Sequence, residues 1–286
     1  RDKTLVEAQD QLDEIASGYS WQGSGGSTAE NHDPSSRVRQ HLRVLTRADD
    51  ALVFHNAATA TITTLAALGG GREIVVSRGQ VIQRDPRYHL LELATAASVT
   101  LREVGAANHA GLEDYREAVS ERTAAILVVH RHDVGIASGN QDVSVDDLAR
   151  LARERHLPLV HDLGPAALVD LASLGVTFAP LVSDSIAAGA DLVLLGHELL
   201  GGPPCGIVVG RSAVIKSIES FAATRASLLS PPLLGAMAAT LDRMDSADQA
   251  RADIPLVQLL AASADNLKHR AERLAPQMAA TRVIAD

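Results

Sequence analysis

Residues 191–210 read DLVLLGHELLGGPPCGIVVG, and the architecture of the whole chain follows from this stretch. Its opening apolar run, residues 191–195, predicts a buried strand, and residues 206–209 predict a second one. Between them lie a polar pair, His197 and Glu198, and then two glycines and two prolines, which predict a tight, rigid loop. A loop this short cannot hold a helical crossover, so the second strand should run antiparallel to the first. A polar pair at a strand end is also where α/β proteins place their chemistry.

Strand-like and helical runs alternate along the chain on the amino-terminal side of this stretch. Strands are predicted at residues 51–56, 73–77, 100–104, 124–130 and 157–161, and helices at 38–45, 57–68, 86–97, 112–121 and 145–156. Ser144 and Asp147 form a capping-box pattern at the start of the last helix. The alternation predicts an α/β protein with a mostly parallel sheet and helices on both of its faces.

Length and composition limit the domain organisation and the class of function. The 286 residues predict an N-terminal helix and loop at 1–36, a large domain at 37–245, and the start of a small C-terminal domain at 246–286 that includes a strand at 282–285. A formal charge of -9 argues against a broad nucleic-acid surface, because phosphate contacts need clustered Lys and Arg. One cysteine, Cys205, excludes an internal disulfide, and no apolar run is long enough to cross a bilayer. We therefore expect a cytoplasmic protein.

Polar residues gather where the predicted parallel strands end, and that edge carries the ligands of open α/β sheets. Asn56, Ala57 and Ala58 begin a helix directly after a strand, where free N–H groups favour an anion such as a phosphate. An ordinary helix cap by Asn56 explains the same pattern. The Asp162 carboxylate could hold a protonated ring nitrogen or a metal, and a buried salt bridge explains it equally well.

The histidines at these strand ends raise the question of a metal site. The residues of suitable type are His130, His132, Asp133, His161 and Asp162. The His-x-His spacing on an extended segment is common, and the chain has neither an HExxH helix nor a cysteine pair. We therefore expect no metal, and we expect Cys205 to be a small buried apolar residue.

Several runs, in one order and at one spacing, resemble the bacterial selenocysteine synthase family, L-seryl-tRNA(Sec) selenium transferase, within the fold-type I enzymes that use pyridoxal phosphate (PLP). The resemblance spans residues 45–216. It rests on the runs LT at 45–46, ALV at 51–53, NAA at 56–58, EIVVSRG at 73–79, LREVG at 101–105, HDLG at 161–164, ALVDL at 167–171, AAGAD at 187–191, LLGGP at 199–203 and GIVVG at 206–210.

This resemblance implies a fold and a cofactor site. It implies a seven-stranded, mostly parallel sheet in which residues 206–209 form the one antiparallel strand. It places the PLP phosphate near Asn56, Ala57 and Ala58, pairs Asp162 with the pyridinium nitrogen, and adds His130 to the cofactor-binding residues. In the synthase, PLP carries seryl-tRNA through an aminoacrylyl intermediate, and relatives act as ammonia-lyases on small amino acids or amino sugars. A homodimer or larger homo-oligomer is also implied.

The chain departs from the family at the residue that binds PLP covalently. The family has SGDKLLGGP, whereas residues 195–203 here read LGHELLGGP, so Glu198 replaces the Schiff-base lysine and Leu195 replaces a serine. A carboxylate cannot form a Schiff base. The three lysines of the chain, Lys3, Lys216 and Lys268, lie far from this position in the sequence. The substitutions therefore predict a relative that has lost lysine-dependent catalysis.

Three functional hypotheses follow from these patterns. The first is a selenocysteine-synthase-like protein that keeps the fold and a pocket for an amino-acid or aminoacyl substrate without lysine-aldimine chemistry; its tRNA partner is suggested by the family but not by the charge. The second is a lyase or dehydratase that binds PLP non-covalently, with His197 or Glu198 as the base. The third is a metal-assisted hydrolase using His130, His132 and His161, or a binding protein without catalysis.

Overall fold

A computed structural model describes residues 33–85, 88–132 and 143–277 of the chain. Its centre is a seven-stranded sheet with the spatial order β1-β9-β8-β7-β6-β2-β5. The strands of this sheet are β1 (Asp50–Phe54), β2 (Glu73–Ser77), β5 (Thr100–Val104), β6 (Thr123–Val129), β7 (Leu159–Gly164), β8 (Leu192–Gly196) and β9 (Gly206–Gly210). A two-stranded hairpin, β3 (Gln83–Asp85) and β4 (Tyr88–His89), lies outside it.

Strand β9 is the one antiparallel strand of the sheet, as the short loop before it predicts. It pairs antiparallel with β8, from Leu192 opposite Gly210 to Gly196 opposite Gly206, and antiparallel with β1 on its other side. The pairings of β2 with β5, β2 with β6, β6 with β7 and β7 with β8 are all parallel. Every strand except β9 therefore ends at the same edge of the sheet, where β9 begins.

Helices cover both faces of the sheet. They are α1 (Pro34–Thr46), α2 (Ala57–Gly69), α3 (Leu90–Ala96), α4 (Leu112–Ala118), α5 (Val145–Glu154), α6 (Val182–Ala187), α7 (Ser212–Ser220), α8 (Thr224–Ser227) and α9 (Pro231–Leu241), followed by α10 (Ala247–Asp253), α11 (Pro255–Leu260) and α12 (Ala264–Leu274). Side chains of successive strand residues alternate between the faces. Leu52 and Val160 accordingly pack in the cluster with α2 and α3, whereas Ala51 packs with α1 and α9 on the opposite face.

Several element boundaries differ from the sequence-based expectations. The helix predicted at 86–97 is wrong at its start, because Tyr88 and His89 pair with β3 and the helix begins only at Leu90. The strand predicted at 157–161 runs instead from Leu159 to Gly164, because its neighbours β6 and β8 pair with these later residues. The helices predicted at 112–121 and 145–156 end earlier, at Ala118 and Glu154.

Further differences lie near the amino terminus. The helix predicted at 38–45 is longer, because Asp33 accepts hydrogen bonds from the N–H groups of Ser35 and Ser36 and Pro34 occupies the first helical position. The N-terminal helix and loop predicted at 1–36 therefore give way to α1 already at Pro34. The residues before Asp33, the strand predicted at 282–285 and Asp133 lie outside the described residues. Within the described ranges, no helix combines the length and apolarity needed to cross a membrane.

Candidate functional site

The functional side chains lie at the edge of the sheet where the six parallel strands end. Phe54 of β1 and Gly196 of β8 both pair with Gly206, the first residue of β9. The end of β7 pairs with β8, with Gly164 opposite Leu195. The sheet thus brings the polar residues that follow β1, β6 and β8 to the same edge as the end of β7.

Asp162 is the most enclosed carboxylate at this edge, and the structure places it in a buried ion pair. Its side chain is 3% exposed, and Arg84 Nη1 donates to Asp162 Oδ1 over 2.8 Å. Arg84 Nη2 donates to the Asp162 main-chain oxygen over 3.2 Å, and the Gly164 N–H donates to Oδ1 over 3.0 Å. Burial alone would lower the pKa of the Arg84 guanidinium, but Asp162, Tyr88 and Glu198 together outweigh it and raise that pKa. The salt bridge, one of the interpretations that the sequence leaves open for Asp162, is thus present.

Tyr88 also encloses Asp162, and it lies in the β3–β4 hairpin that carries Arg84. Its hydroxyl donates a hydrogen bond to Asp162 Oδ2 and lies 3.3 Å from the Thr61 hydroxyl on α2. The Arg84 guanidinium carbon lies 4.6 Å from the centre of the Tyr88 ring, within the range of a cation–π contact. Burial, and then the Asp162 carboxylate, raise the pKa of the Tyr88 hydroxyl well above its usual value, so that this group stays a proton donor.

Three histidines, His130, His132 and His161, lie near the same strand end. His161 is inside β7, and its side chain leaves the sheet on the face opposite to Asp162. Burial, reinforced by His130, lowers the pKa of His161 to about 4, so the ring is neutral near pH 7. The His130 and His132 rings lie 4.7 Å apart, and His132 Nε2 lies 2.7 Å from the Leu163 main-chain oxygen. In the described part of the chain, no group of three or more His, Cys, Asp or Glu side chains could hold a metal ion.

The start of α2 provides the second feature of this edge. Asn56 Oδ1 accepts the Thr59 N–H at 2.8 Å, so the helix-cap interpretation of Asn56 is confirmed. Ala57 and Ala58 lie in the first turn, where main-chain N–H groups have no partner within the helix. Glycine at position 206 lets β9 approach the start of α2 closely, because a Cβ there would lie 2.3 Å from the Asn56 main-chain oxygen. The close approach of β9 to α2 thus fixes the free N–H groups at the edge where Asp162 lies.

Glu198, which follows β8, belongs to the same electrostatic environment. It is exposed, and its carboxylate folds back so far that a Cβ on Gly196 would overlap it. The Glu198 charge acts on Arg84 and on Cys205, which is buried as expected. Burial, with this charge, raises the pKa of the Cys205 thiol to about 12, so the thiol is not a nucleophile. His197 is half-buried beside Glu198, and its main-chain oxygen accepts the Leu200 N–H at 2.9 Å.

Arg84, Tyr88, Thr61 and Gly164 are the site residues that sequence reasoning missed. Arg84 and Asp162 are separated by 78 positions, and no local period connects them. Arg84 meets Asp162 only in the folded chain, so the local sequence carries no signal for this pair.

The chain is similar in sequence to known proteins over most of its length. A family described as L-seryl-tRNA selenium transferase matches residues 6–285. The L-seryl-tRNA(Sec) selenium transferase of Solidesulfovibrio magneticus is 39% identical over 250 residues, which are 87% of this chain and 53% of that protein. The enzyme of the same name from Alkaliphilus metalliredigens is 34% identical over 269 residues, which are 94% of this chain and 58% of that protein. The chain thus spans just over half the length of these curated relatives.

Solved structures resemble the chain in fold. A D-glucosaminate-6-phosphate ammonia-lyase superposes with a TM-score of 0.73 at 19% identity, covering 96% of this chain and 69% of that one. An aspartate aminotransferase from Thermus thermophilus superposes with a TM-score of 0.59 at 19% identity over the same shares. At these identities the likeness establishes the fold alone, and it confirms the predicted seven-stranded architecture.

Proposed function

Because this chain belongs to the L-seryl-tRNA selenium transferase family, we propose that it is a selenocysteine-synthase-like protein of the PLP-dependent transferase superfamily that does not use a lysine Schiff base. The observation that carries this proposal is Glu198, which follows β8 at the family's lysine position and lies in the electrostatic environment of Arg84. A carboxylate there cannot bind the PLP aldehyde. The described lysines, Lys216 and Lys268, are exposed on α7 and α12, and Lys3 lies outside the described residues.

The two ends of the site differ in how well they suit PLP. The phosphate end fits, because the first-turn N–H groups of Ala57 and Ala58 and the positive end of α2 suit an anion. The ring-nitrogen end does not fit as it stands, because Arg84, Tyr88 and the Gly164 N–H already occupy the Asp162 carboxylate. When bound, PLP supplies an electron sink for bonds at the carbon of a substrate amine. This chain's own residues contribute the phosphate cradle, the Glu198 carboxylate and the His130 ring at the edge.

The proposal predicts PLP binding that is reversible and leaves no covalent product. Purified protein is mixed with PLP, its visible absorbance is recorded, and the mixture is reduced with borohydride, dialysed and analysed by mass. We expect saturable binding and unchanged protein mass. Lys216→Arg and Lys268→Arg variants serve as controls for incidental reaction of surface amines. A stoichiometric adduct that disappears in one of these variants would show that a lysine reaches the site, and would overturn the proposal.

A second candidate function rests on the position of Glu198. Its carboxylate is exposed over Gly196 beside half-buried His197, so either group could accept a proton from a small amino acid or amino sugar. This lyase or dehydratase hypothesis expects PLP-dependent release of ammonia or water that is lost in Glu198→Gln or His197→Gln. Saturable PLP binding with equal product release by wild type and both variants would argue against it.

We further propose a cytoplasmic homo-oligomer that acts on an amino-acid or aminoacyl substrate. The names of the relatives support tRNA as the carrier of that substrate. We also propose the domain limits inferred from the sequence, with residues 37–245 forming the large domain. Multi-angle light scattering would measure the oligomeric state, and a monomer at micromolar concentration would contradict this part.

A further inference from the structure

The β3–β4 hairpin inserts a positive charge where the resemblance places a ligand's ring nitrogen. Arg84 of β3 is 13% exposed in its side chain, and it faces an Asp162 side chain that is 3% exposed. The pair is therefore largely removed from solvent. Opposite charges at 2.8 Å in such a place attract more strongly than on the surface, where water screens them.

Both carboxylate oxygens of Asp162 accept hydrogen bonds from within the protein. Oδ1 accepts from Arg84 Nη1 and from the Gly164 N–H, and Oδ2 accepts from the Tyr88 hydroxyl. Arg84 and Tyr88 both come from the hairpin, so one element supplies the charge and one of the neutral donors. A second cation cannot approach this carboxylate without like-charge repulsion from Arg84.

Gly164 makes room for the guanidinium. A Cβ at Gly164 would lie 2.8 Å from Arg84 Cζ and 2.9 Å from Nε, closer than such atoms can pack. The backbone angle φ of Gly164 is +63°, a conformation that glycine adopts without strain. The bare backbone at the end of β7 therefore accommodates Arg84 next to Asp162. In the described structure, Arg84 Nε is buried without a hydrogen-bond partner, so the guanidinium makes its hydrogen bonds to Asp162 through Nη1 and Nη2.

We propose that Arg84 is an internal counter-ion that takes the place of a ligand's protonated ring nitrogen on Asp162, so that a pyridinium ligand reaches this carboxylate only when Arg84 is displaced. The inference rests on the proposed function, because it concerns the ring end of the same cofactor site. It makes Arg84 a residue that weakens the binding of cationic rings. The phosphate end at α2 is unaffected by Arg84 in this scheme.

The test measures binding of pyridoxine 5′-phosphate, which has the ring and phosphate of PLP but no aldehyde that could react with lysines. Dissociation constants are measured by equilibrium dialysis near pH 7 for wild type and Arg84→Met. We expect the variant to bind at least tenfold more tightly, because its neutral side chain no longer competes for Asp162. The gain should disappear in the double variant Arg84→Met with Asp162→Asn.

Arg211→Met is the matched control. Arg211 Nη1 donates to Asp191 Oδ1 over 2.9 Å, so it is another arginine on a well-buried aspartate, at the amino-terminal end of β8 and away from the site. The affinity of the Arg211→Met variant for pyridoxine 5′-phosphate should equal that of wild type. Circular dichroism checks that each variant is folded, and Arg84→Gln, which keeps a hydrogen-bond donor for Asp162, replaces Arg84→Met if that variant does not fold.

The outcomes separate this inference from the proposed function. Measurable binding by wild type with equal or weaker binding by the Arg84 variant would overturn the inference alone. A gain that persists when Asp162 is Asn would also overturn it, since the gain must act through this carboxylate. Absence of binding by wild type and by every Arg84 variant would overturn the proposed cofactor and the inference together.

Discussion

Two buried aspartates, Asp162 in β7 and Asp191 just before β8, have different roles in the fold and in the proposed site. Asp191 precedes β8 and accepts the Leu159 N–H at 2.8 Å, which fixes the register of β7 against β8 at their amino-terminal ends. Asp162 makes no such contact between strands, and its partner is an arginine from a separate hairpin. The Asp191 carboxylate therefore contributes to the pairing of two strands. The Asp162 carboxylate pairs instead with Arg84, a side chain whose displacement would not break the pairing of strands.

At the same scale, His161 should make stability depend on pH in a defined window. Its pKa is about 4 in the folded chain and 6.5 when unfolded, so the unfolded state takes up the proton first as the pH falls. The contribution of neutral His161 is fully present above pH 6.5 and is lost between pH 6.5 and about 4. At pH 5 the loss in unfolding free energy relative to pH 7 should be about 2 kcal/mol.

Urea unfolding at pH 7 and pH 5 measures this contribution. In His161→Gln, the difference in unfolding free energy between pH 7 and pH 5 should be smaller by about 2 kcal/mol. It should not change in His269→Gln, whose ring is exposed on α12. An unchanged difference in His161→Gln would mean that the ring is protonated, or open to water, in the folded protein.

Among the elements, the contact between β9 and α2 is the one that positions the proposed phosphate end. Gly206→Ala would place a methyl group 2.3 Å from the Asn56 oxygen and 2.7 Å from Ala57 Cα. Both are backbone atoms, which cannot relieve the overlap by a change of rotamer, so β9 or the helix start must shift. We expect a loss of stability of about 1–3 kcal/mol, as for overpacking in a core, together with weaker phosphate binding.

Gly111→Ala is the control for this change. The same methyl group there would meet its nearest atoms at 3.6 and 3.9 Å, which is ordinary contact. Thermal unfolding and phosphate-dependent stabilisation are compared for the two variants. Equal melting temperatures would show that the helix start is not constrained by β9.

These elements also show how far the sequence could be interpreted. Residues 73–77 and 100–104 are predicted with correct boundaries, and for residues 73–77 the apolar run bounded by turn residues carries the signal. The β3–β4 hairpin was missed, because its pairing of Tyr88 with Asp85 creates a very short element that resembles the beginning of the next helix. Its role could not be predicted either, since Arg84 meets Asp162 only after the sheet has brought β7 to the hairpin.

For the whole molecule, the fold and the chemistry of the proposed site rest on different kinds of contact. The family matches residues 6–285 and the sheet has the predicted order with its one antiparallel strand, whereas the proposed site rests on a few side chains such as Arg84 and Asp162. The fold depends on many apolar contacts that tolerate exchange of similar side chains. A reaction depends instead on a few side chains at one site, so membership of the family and possession of its chemistry are separate questions for this chain.

The charge of the molecule leads to the last prediction, which concerns tRNA. The chain has 26 basic and 35 acidic side chains, so its net field repels a polyphosphate at neutral pH. We expect these 286 residues to bind serylated tRNA with a dissociation constant above about 10 µM at roughly 150 mM salt, and with little dependence on salt, because few cations contact phosphate. Gel-shift titrations at several salt concentrations, with uncharged tRNA as the comparison, measure both quantities. Submicromolar binding that weakens steeply with salt would show that the basic side chains converge on one surface despite the net charge, and would place tRNA recognition within this half of the relatives' length.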